Sequence, residues 1–424
     1  MTFWKSRQGG KRVLMLLENS HYPGDTRVYN EARALRDAGY QVSVIAQRET
    51  GSDSPYHQVI DDVQVYRFPL LAEGSGFLNY ISEYGLAMAE IFLLSLVVLV
   101  RHGFDIIHAA NPPDLFFLLV APFKLLGKRF VFDHHDLSPE LYDVREGGKG
   151  HPIVRGALLA MERLSCRMAD LVIATNESYK AIEMARDGVP ESRIVVVRNG
   201  PDLDDFKPVE PAPGLAQPGK TLIAYMGVIA VQDGVDYLLR ALDCLVHELR
   251  LDDFHCVVIG DGTALPALKV MAERLGLSDY VHFTGWVQRA DIPSYLSAAD
   301  ICVAPEPSNA LNDHSTIVKV MEYMALGKPI VAFDLPEHRY SAGAGAVFAQ
   351  PNEELDFARQ IAALLADAGL RQKIGQAGRA RVEANLAWSQ QAKALVEAYG
   401  RLTARAATGR PASGLNTNVG VDDQ

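Results

Sequence analysis

Cysteines are scarce in this sequence, and their positions exclude a disulfide-stabilised scaffold. Cys166, Cys244, Cys256 and Cys302 lie far apart, mostly within apolar runs, and lack the short spacings of a metal site. We therefore expect buried, reduced thiols, no bound metal and a cytoplasmic protein. The loop after the first predicted strand lacks G-x-G-x-x-G, which disfavours a dinucleotide-dependent enzyme, and no cofactor is predicted.

An excess of basic charge is also absent. The formal net charge of -11 argues against a nucleic-acid partner. The most apolar run, Ala87 to Val100, contains Glu90 and is shorter than the roughly 20 residues that a bilayer core requires, so it predicts a buried or interfacial helix. No signal peptide is recognised, because a short basic segment leads directly into a predicted strand. This segment predicts either a mobile terminus or a peripheral contact with the inner face of the plasma membrane, through Trp4, Lys5, Arg7, Lys11 and Arg12.

Strand and helix patterns alternate through both halves of the chain. Val13 to Glu18 and Gln41 to Ala46 are short apolar runs, and Asp25 to Ala38 between them has helical periodicity. This order is a βαβ unit, which requires a parallel sheet. A second α/β series begins at Leu222, after a segment rich in Pro and Gly. The sequence therefore predicts an α/β protein with two facing Rossmann-like domains and a cleft between them.

Its length of 424 residues is sufficient for two hydrophobic cores. The polar composition of the last residues predicts disorder there. The predicted organisation is a first domain at 1–200, a linker at 201–220, a second domain at 221–385, a C-terminal helix at 386–405 and a disordered tail at 406–424.

The segment from Asn309 to Asp334 gathers polar residues on one predicted helix. Asp313 and Ser315 are candidate N-caps. Ser315, Lys319 and Glu322 are spaced four and three residues apart, which places them on one helical face. The helix N-terminus and Lys319 favour a diphosphate, and Glu322 can accept hydrogen bonds from the two hydroxyls of a ribose. The alternative is a solvated helix with a Lys319/Glu322 pair.

The letters EYMALGKPIVAFD, starting at Glu322, resemble the donor-binding segment of the retaining GT-B glycosyltransferases of family 4. The wider pattern N-D-x-S-T-x-x-K-x-x-E-Y-M-A-x-G-K-P resembles a subgroup common among bacterial polysaccharide enzymes. His314 stands where most of the family has the first Glu of an E-x7-E pair. The resemblance implies a GT-B fold and metal-independent, retaining transfer of a sugar from a nucleotide sugar, chiefly a UDP-sugar. The implied acceptor is lipid-linked or a saccharide, in cell-surface polysaccharide synthesis.

The same resemblance implies roles for individual residues. It places ribose on Glu322, the diphosphate on Ser315, Thr316 and Lys319, and the donor sugar on Asp313 and His314. Other donor-binding segments contain Gly227, Gly260, Gly262 and Trp286. On the acceptor side, His135 faces the reacting sugar and lies near Asp136 and Glu140. Arg27 is expected to meet a phosphate or an acceptor anion, or else to pair with Asp25 at the surface.

The segment Asp133 to Glu140 also resembles a set of metal ligands at first sight. Adjacent residues at a strand end point in opposite directions, so they make a poor chelate, and an ordinary capped loop is the other alternative for His135.

Two cations expected from the resemblance are missing. Similar enzymes have G-R-x-x-x-x-K-G in the loop that here runs from Gly227 to Gly234 as G-V-I-A-V-Q-D-G. A diphosphate without a cation would be costly in a cleft, so Lys319 and the helix N-terminus around Ser315 and Thr316 are the expected replacement. Glu306 is expected to be no more than a rim charge. A catalytically silent GT-B module that binds a sugar nucleotide or a partner enzyme, and a nucleotide-sugar epimerase, stay open as alternatives.

Overall fold

The computed structural model describes residues 11–49, 53–69, 77–148 and 150–408. Within these residues two mainly parallel sheets form two α/β domains, which confirms the predicted pair of Rossmann-like domains. Trp4, Lys5 and Arg7 of the predicted basic segment lie outside the described residues, as do residues 409–424 of the predicted tail. Residues 406–408 belong to the last helix, so the predicted start of the disordered tail at 406 is wrong.

The first domain is built around an eight-stranded sheet. Its strands are β1 (Arg12–His21), β2 (Gln41–Gln47), β3 (His57–Ile60), β4 (Val63–Phe68), β5 (Ile106–Ala110), β6 (Arg129–His134), β7 (Leu171–Ala174) and β8 (Ile194–Val196). Its helices are α1 (Thr26–Asp37), α2 (Phe77–Arg101), α3 (Phe116–Leu125), α4 (Ser138–Arg145), α5 (Pro152–Met168) and α6 (Glu177–Ala185). The strand order is β3-β4-β2-β1-β5-β6-β7-β8, with β3 antiparallel to β4. The order reverses beside β1, which opens a crevice at the carboxyl ends of β1 and β5.

The second domain is built around a six-stranded parallel sheet. Its strands are β9 (Thr221–Met226), β10 (Phe254–Ile259), β11 (Val281–Gly285), β12 (Ile301–Ala304), β13 (Ile330–Phe333) and β14 (Ala346–Ala349). Its helices are α7 (Val235–Asp243), α8 (Leu265–Arg274), α9 (Ile292–Ala298), α10 (Val318–Ala325), α11 (Pro336–Ala342), α12 (Glu354–Ala366) and α13 (Ala368–Arg381). The order β11-β10-β9-β12-β13-β14 reverses between β9 and β12, so the second crevice lies at their carboxyl ends.

The last helix, α14 (Trp388–Thr408), returns from the second domain to the first. The Trp388 N–H donates to the Pro201 carbonyl at 2.9 Å, where the two domains join. Further along, Leu395, Tyr399 and Leu402 are buried in the same apolar cluster as β1 and α1. The predicted crossing helix therefore supplies one wall of the first domain's core.

The helix α10 begins later than its sequence indicates. Ile317, which precedes it, has extended backbone angles of φ -84° and ψ 99°, and its side chain cannot cap. Residues 309–314 instead form turns, in which Asn309 Oδ1 accepts the N–H groups of Leu311 and Asn312 at 2.9 Å each. The predicted caps Asp313 and Ser315 are therefore wrong. Ser315 lies outside the helix and does not share a helical face with Lys319 and Glu322.

Candidate active site

The segment 309–317 bridges the cleft between the domains. From the N-cap of α6, Asn176 Nδ2 donates to the His314 carbonyl at 2.7 Å and to Thr316 Oγ1 at 2.9 Å. Ser315 Oγ donates to the Leu311 carbonyl at 2.9 Å and lies 3.3 Å from Tyr179 Oη. The two hydroxyl groups predicted to bind a diphosphate thus hold the segment in place between the domains.

A second bridge between the domains was not foreseen from the sequence. Arg198 Nη1, at the end of the first domain, donates to Glu337 Oε2 in α11 at 3.0 Å, and Ser178 Oγ donates to Glu337 Oε1 at 2.8 Å. The Arg198 guanidinium also lies 4.0 Å from the centre of the Tyr340 ring. Arg198 and Glu337 are both almost fully buried, so this pair joins the two domains beside the cleft.

Lys319 occupies the crevice of the second sheet, and acceptors on three sides engage its ammonium. Nζ lies 2.7 Å from Glu306 Oε1, 2.9 Å from Tyr225 Oη and 3.4 Å from Asp233 Oδ1. Burial lowers the pKa of Lys319, but these neighbours raise it well above its ordinary value, so the group is charged. Since an ammonium has three N–H bonds, the contacts use its whole donor capacity.

Glu306 is buried, so the prediction that it is a charge at the rim of the cleft is wrong. Its side chain is 2% exposed, and Oε2 lies 3.5 Å from His338 Nε2. Burial raises the pKa of Glu306, but Lys319 and His338 lower it to about 2, so the carboxylate is ionised. The buried carboxylate requires a cation, and the helix that follows supplies one in Lys319.

The glycines predicted for donor binding bring two loops of the second domain together. Gly260 has φ +137°, and a Cβ there would lie 1.9 Å from the Gly227 carbonyl oxygen. A Cβ on Gly262 would lie 2.3 Å from the Ile229 carbonyl oxygen, and one on Gly227 would lie 2.9 Å from Lys319 Nζ. Gly260 and Gly262 are thus required for packing, and Gly227 leaves the space that Lys319 fills.

Glu322 is buried, whereas Trp286 is exposed. Glu322 is 5% exposed, and burial raises the pKa of its carboxyl group. Its Oε1 lies 3.4 Å from Arg289 Nη2, a half-exposed cation that the sequence analysis did not single out. Trp286, just after β11, is 78% exposed and leaves a large aromatic face open to a ligand.

The acceptor-side residues gather around Asp133 at the end of β6. His135 Nδ1 lies 3.2 Å from Asp133 Oδ2, and the His135 side chain is 12% exposed. Burial lowers the pKa of His135, but the hydrogen bond and charge of Asp133 outweigh this and raise it above its ordinary value. The contact engages Nδ1 and orients the ring about it. Asp136 is half-buried beside it, and its N–H donates to Asn111 Oδ1 at 3.1 Å.

Two side chains predicted on the acceptor side are engaged in ion pairs, and the predicted surface pairing of Arg27 with Asp25 is wrong. Arg27 is buried and donates Nε and Nη2 to Asp133 at 2.7 and 2.6 Å. Asp25, its predicted surface partner, instead caps α1 by accepting the Val28 N–H at 2.9 Å. Glu140 Oε1 accepts from Arg186 Nη1 at 2.5 Å. All three nitrogens of the Arg27 guanidinium donate hydrogen bonds, whereas Glu140 Oε2 is buried without a hydrogen-bond partner among the described residues.

The Asp133 cluster continues into the core of the first domain. His108 Nε2 lies 3.2 Å from Glu31, and His108 Nδ1 lies 2.7 Å from Tyr399 Oη in α14. Burial lowers the pKa of His108, but Glu31 and Asp133 raise it to about 9. Glu31, His108 and Asp133 bring potential metal ligands within 4.8 Å of one another. Because Arg27 already binds Asp133 through two hydrogen bonds, the negative charge of the group is balanced without an ion.

The loop that carries His135 is shaped by Asn111, a residue that sequence reasoning missed. Asn111 Oδ1 accepts the N–H of His135 at 2.8 Å, and its Nδ2 donates to the Asp136 carbonyl at 2.7 Å. The neighbouring His134 points the other way and lies 3.0 Å from Glu183. The two adjacent histidines therefore diverge, as expected for a strand end, and do not form a chelate.

The two halves of the chain match two domain models of one family. Residues 24–200 match the glycosyl transferase 4-like domain, and residues 220–367 match the glycosyl transferases group 1 model. Together these matches cover most of the chain. The chain belongs to the glycosyl transferases, with a 4-like domain in its first half and a group 1 domain in its second. Its cleft, with Lys319 and Glu322 on one side and His135 on the other, is the candidate active site of this glycosyltransferase.

The first curated relatives of this glycosyltransferase are distant, and each is matched over part of its length. The D-inositol 3-phosphate glycosyltransferase of Xylanimonas cellulosilytica is 28% identical over 271 residues, which cover 60% of this chain and 62% of that protein. The first three relatives are matched over between 47% and 62% of their own lengths.

Solved structures resemble this glycosyltransferase over nearly its whole length. Sucrose-phosphate synthase from Thermosynechococcus elongatus has a TM-score of 0.74 at 18% identity, covering 93% of this chain and 99% of that one. HepE from Anabaena, in complex with UDP and glucose, has a TM-score of 0.69 at 17% identity, covering 92% and 100%. At these identities the likeness shows the two-domain fold.

Proposed function

We propose that this protein transfers a sugar, with retention of configuration, from a UDP-sugar to a lipid-linked or saccharide acceptor in cell-surface polysaccharide synthesis. The observation that carries the proposal is the pair of Lys319 and Glu322 on α10, at the crevice of the second sheet. One residue provides a cation for a diphosphate, and the other an acceptor for ribose hydroxyls. UDP and glucose bound to HepE support this donor class. The proposed location is the cytoplasm, at the inner face of the plasma membrane.

The proposed reaction uses the two sides of the cleft separately. The acceptor hydroxyl attacks the anomeric carbon from the face that the diphosphate leaves, and a phosphate oxygen takes the hydroxyl proton. Lys319 stabilises the charge of the leaving diphosphate, which makes the reaction metal-independent. His135 lies at the reacting sugar, with its ring held by Asp133. Asp313 Oδ1, which is buried and has no hydrogen-bond partner among the described residues, is the proposed acceptor for a hydroxyl of the donor sugar.

Nucleotide binding tests the donor site directly. In the presence of a chelator we expect UDP to bind, and neither GDP nor ADP. Glu322→Ala should weaken this binding about tenfold, because the hydrogen bonds from ribose to a charged group are lost. Isothermal titration calorimetry measures the nucleotide affinity of the wild type and of the variant. Glu273→Ala, an exposed carboxylate in α8, is the matched control and should bind like the wild type.

Two results would contradict this prediction. If no nucleotide binds, the transferase proposal loses its main support and the silent module becomes the better interpretation. If Glu322→Ala binds as tightly as the wild type, ribose is held elsewhere. Conversion of the donor sugar to its epimer without any acceptor would instead favour the epimerase.

The missing loop cations give Asp233 a particular position. Asp233 stands where the family pattern has its Lys, and Val228 stands where it has its Arg. The longest of the three Lys319 contacts is the one to Asp233, at 3.4 Å. We propose that the donor diphosphate takes the place of the Asp233 carboxylate beside Lys319.

Asp233→Asn is accordingly expected to increase donor affinity about two- to fivefold, because a competing and repelling negative charge is removed. Calorimetry with UDP, at a fixed and low salt concentration, measures this change. Asp236→Asn removes a carboxylate from the same region that pairs with Arg240 at 3.0 Å instead, and should leave the affinity unchanged. Weaker binding by Asp233→Asn would mean that Asp233 helps to hold the donor.

A further inference from the structure

Helix α2 exposes apolar side chains where a surface helix ordinarily has polar ones. Its inner face, with Ala87, Ile91 and Val98, is buried against β1, β2 and β4. The residues of its outer face are between 37% and 86% exposed and follow a helical spacing: Leu86, Leu93, Leu96, Val97 and Val100. The stripe also contains Glu90, whose pKa is raised by burial.

The window Tyr84–Arg101 has the length and hydropathy of a membrane-spanning helix, but 22% of it is buried inside the protein. The inner face of α2 belongs to the core of the first domain. Spanning a bilayer would require removing this helix from the sheet and exposing that core to water. The helix can therefore offer a membrane its outer face alone.

A second apolar stripe adjoins the first. The helices α2 and α3 touch through Phe92 and Phe123, whose ring centres are 5.7 Å apart. On α3, Leu118, Leu125 and Leu126 are 60%, 90% and 65% exposed. We call the outer residues of both helices the α2–α3 face: Leu86, Leu93, Leu96, Val97, Val100, Leu118, Leu125 and Leu126. Exposed apolar side chains gathered on two touching helices mark an interaction site.

Basic residues border the end of the α2–α3 face where both helices stop. They come from the ends of α2 and α3 and from the residues at or just before the starts of β1 and β6: Lys11, Arg12, Arg101, Lys124 and Lys128. Two carboxylates pair with them, Asp105 at 2.8 Å from Arg12 and Asp170 at 2.9 Å from Lys124. Five positive charges less two negative charges leave this edge at +3, on a chain whose formal net charge is -11. The positive charge is thus concentrated where the most exposed leucines lie.

We propose that the α2–α3 face docks on an anionic lipid surface, with both helices lying in the interface and the basic edge at the headgroups. Apolar side chains enter the boundary between headgroups and acyl chains, while Lys and Arg meet lipid phosphates. This combination of leucines with a basic edge fits an anionic bilayer, because a bilayer offers apolar depth and negative charge together. The proposal goes beyond the transfer reaction and does not rest on it.

Vesicle flotation of the full chain tests the proposal. The probes are phosphatidylcholine vesicles with and without about 30% phosphatidylglycerol. We expect about tenfold more protein with the anionic vesicles, and a loss of this excess at high salt, because the attraction of the basic edge is screened. The double variant Leu93→Glu, Val97→Glu should reduce flotation at least tenfold. Val270→Glu, at a 46% exposed valine of α8 in the other domain, is the matched control and should float like the wild type.

Three further measurements complete the test of the docking proposal. Thermal melting must show that the double variant is folded, and Leu93→Ser is the milder substitute if it is not. Absence of flotation with either vesicle would overturn the proposal. A dimer of the wild type in light scattering that the double variant abolishes would assign the face to a second copy of this chain and overturn it too. UDP binding, measured in parallel without vesicles, should be unchanged in the double variant, so failure of the docking proposal is separate from failure of the transfer proposal.

Discussion

Arg27→Met is expected to lower the free energy of unfolding by about 3–5 kcal/mol, because it leaves buried carboxylates without their cation. Arg27 binds Asp133 through two hydrogen bonds and lies 3.4 Å from Glu31 Oε1. All three side chains are at most 5% exposed, so water cannot replace the guanidinium. The remaining basic groups beside them are imidazoles, His108 next to both carboxylates and His135 next to Asp133, and neither can form the two parallel hydrogen bonds that the guanidinium makes to Asp133. Urea denaturation followed by circular dichroism measures the loss.

Arg33→Met is the control for this experiment. Arg33 lies on the same helix, is half-exposed and lies 5.4 Å from the Tyr29 ring, so its loss should cost less than about 1 kcal/mol. The double variant Arg27→Met, Asp133→Asn removes both partners of the ion pair and should recover part of the stability. Equal losses for Arg27→Met and Arg33→Met would show that the buried pair is not the reason for Arg27.

Replacement of Lys319 is expected to have the largest effect on donor binding. Lys319→Met alone would leave Glu306 ionised and buried, so the informative variant is Lys319→Met with Glu306→Gln, which removes both charges. We expect UDP affinity to fall about tenfold to a hundredfold, because the loss of a charge-assisted hydrogen bond to phosphate is of that size. Calorimetry in chelator measures the change.

Lys269→Met, an exposed lysine in α8 of the same domain, controls for the loss of a positive charge and should bind UDP normally. Glu306→Gln alone separates the two roles of the pair: it should keep or improve UDP binding, because Lys319 then retains its charge with one competitor fewer. Donor affinity of the double variant equal to that of the wild type would mean that Lys319 serves the structure of the domain alone, and that the diphosphate cation is another residue.

Local patterns predicted the elements of the first βαβ unit well. Val13 to Glu18 and Gln41 to Ala46 are continuous apolar runs, and the strands found are Arg12–His21 and Gln41–Gln47. The helix between them was predicted from Asp25 to Ala38, and the helix found is Thr26–Asp37, capped by Asp25. A central strand that is buried on both faces is a continuous apolar run in the sequence. Such a strand can therefore be predicted from neighbouring residues alone.

The start of α10 could not be predicted in the same way. Asp313 and Ser315 both have the chemistry of an N-cap, but segment 309–317 is fixed by contacts with the other domain. The partners Asn176 and Tyr179 are more than a hundred residues away in sequence, with separations of 138 and 136 positions. A competing tertiary contact of this kind has no local signature.

The chemistry of the candidate site was likewise predicted in part. The resemblance pointed to Lys319, Glu322 and His135, and the structure places them on the two walls of one cleft. It gave no indication that Glu306 turns inward to Lys319, or that Arg27 turns inward to Asp133, which is 106 positions away. Both are buried charges that require partners, and a sequence shows the charge without showing the burial.

The return of α14 to the first domain has a consequence for biosynthesis. Tyr399 and Leu402 belong to the core of that domain, yet the ribosome adds them after the entire second domain. Until then, the nascent first domain presents an uncovered apolar groove, and His108 lacks its phenolic partner. We therefore expect an isolated fragment ending near residue 200 to aggregate, and the same fragment to become soluble when a peptide spanning 388–408 is supplied in trans.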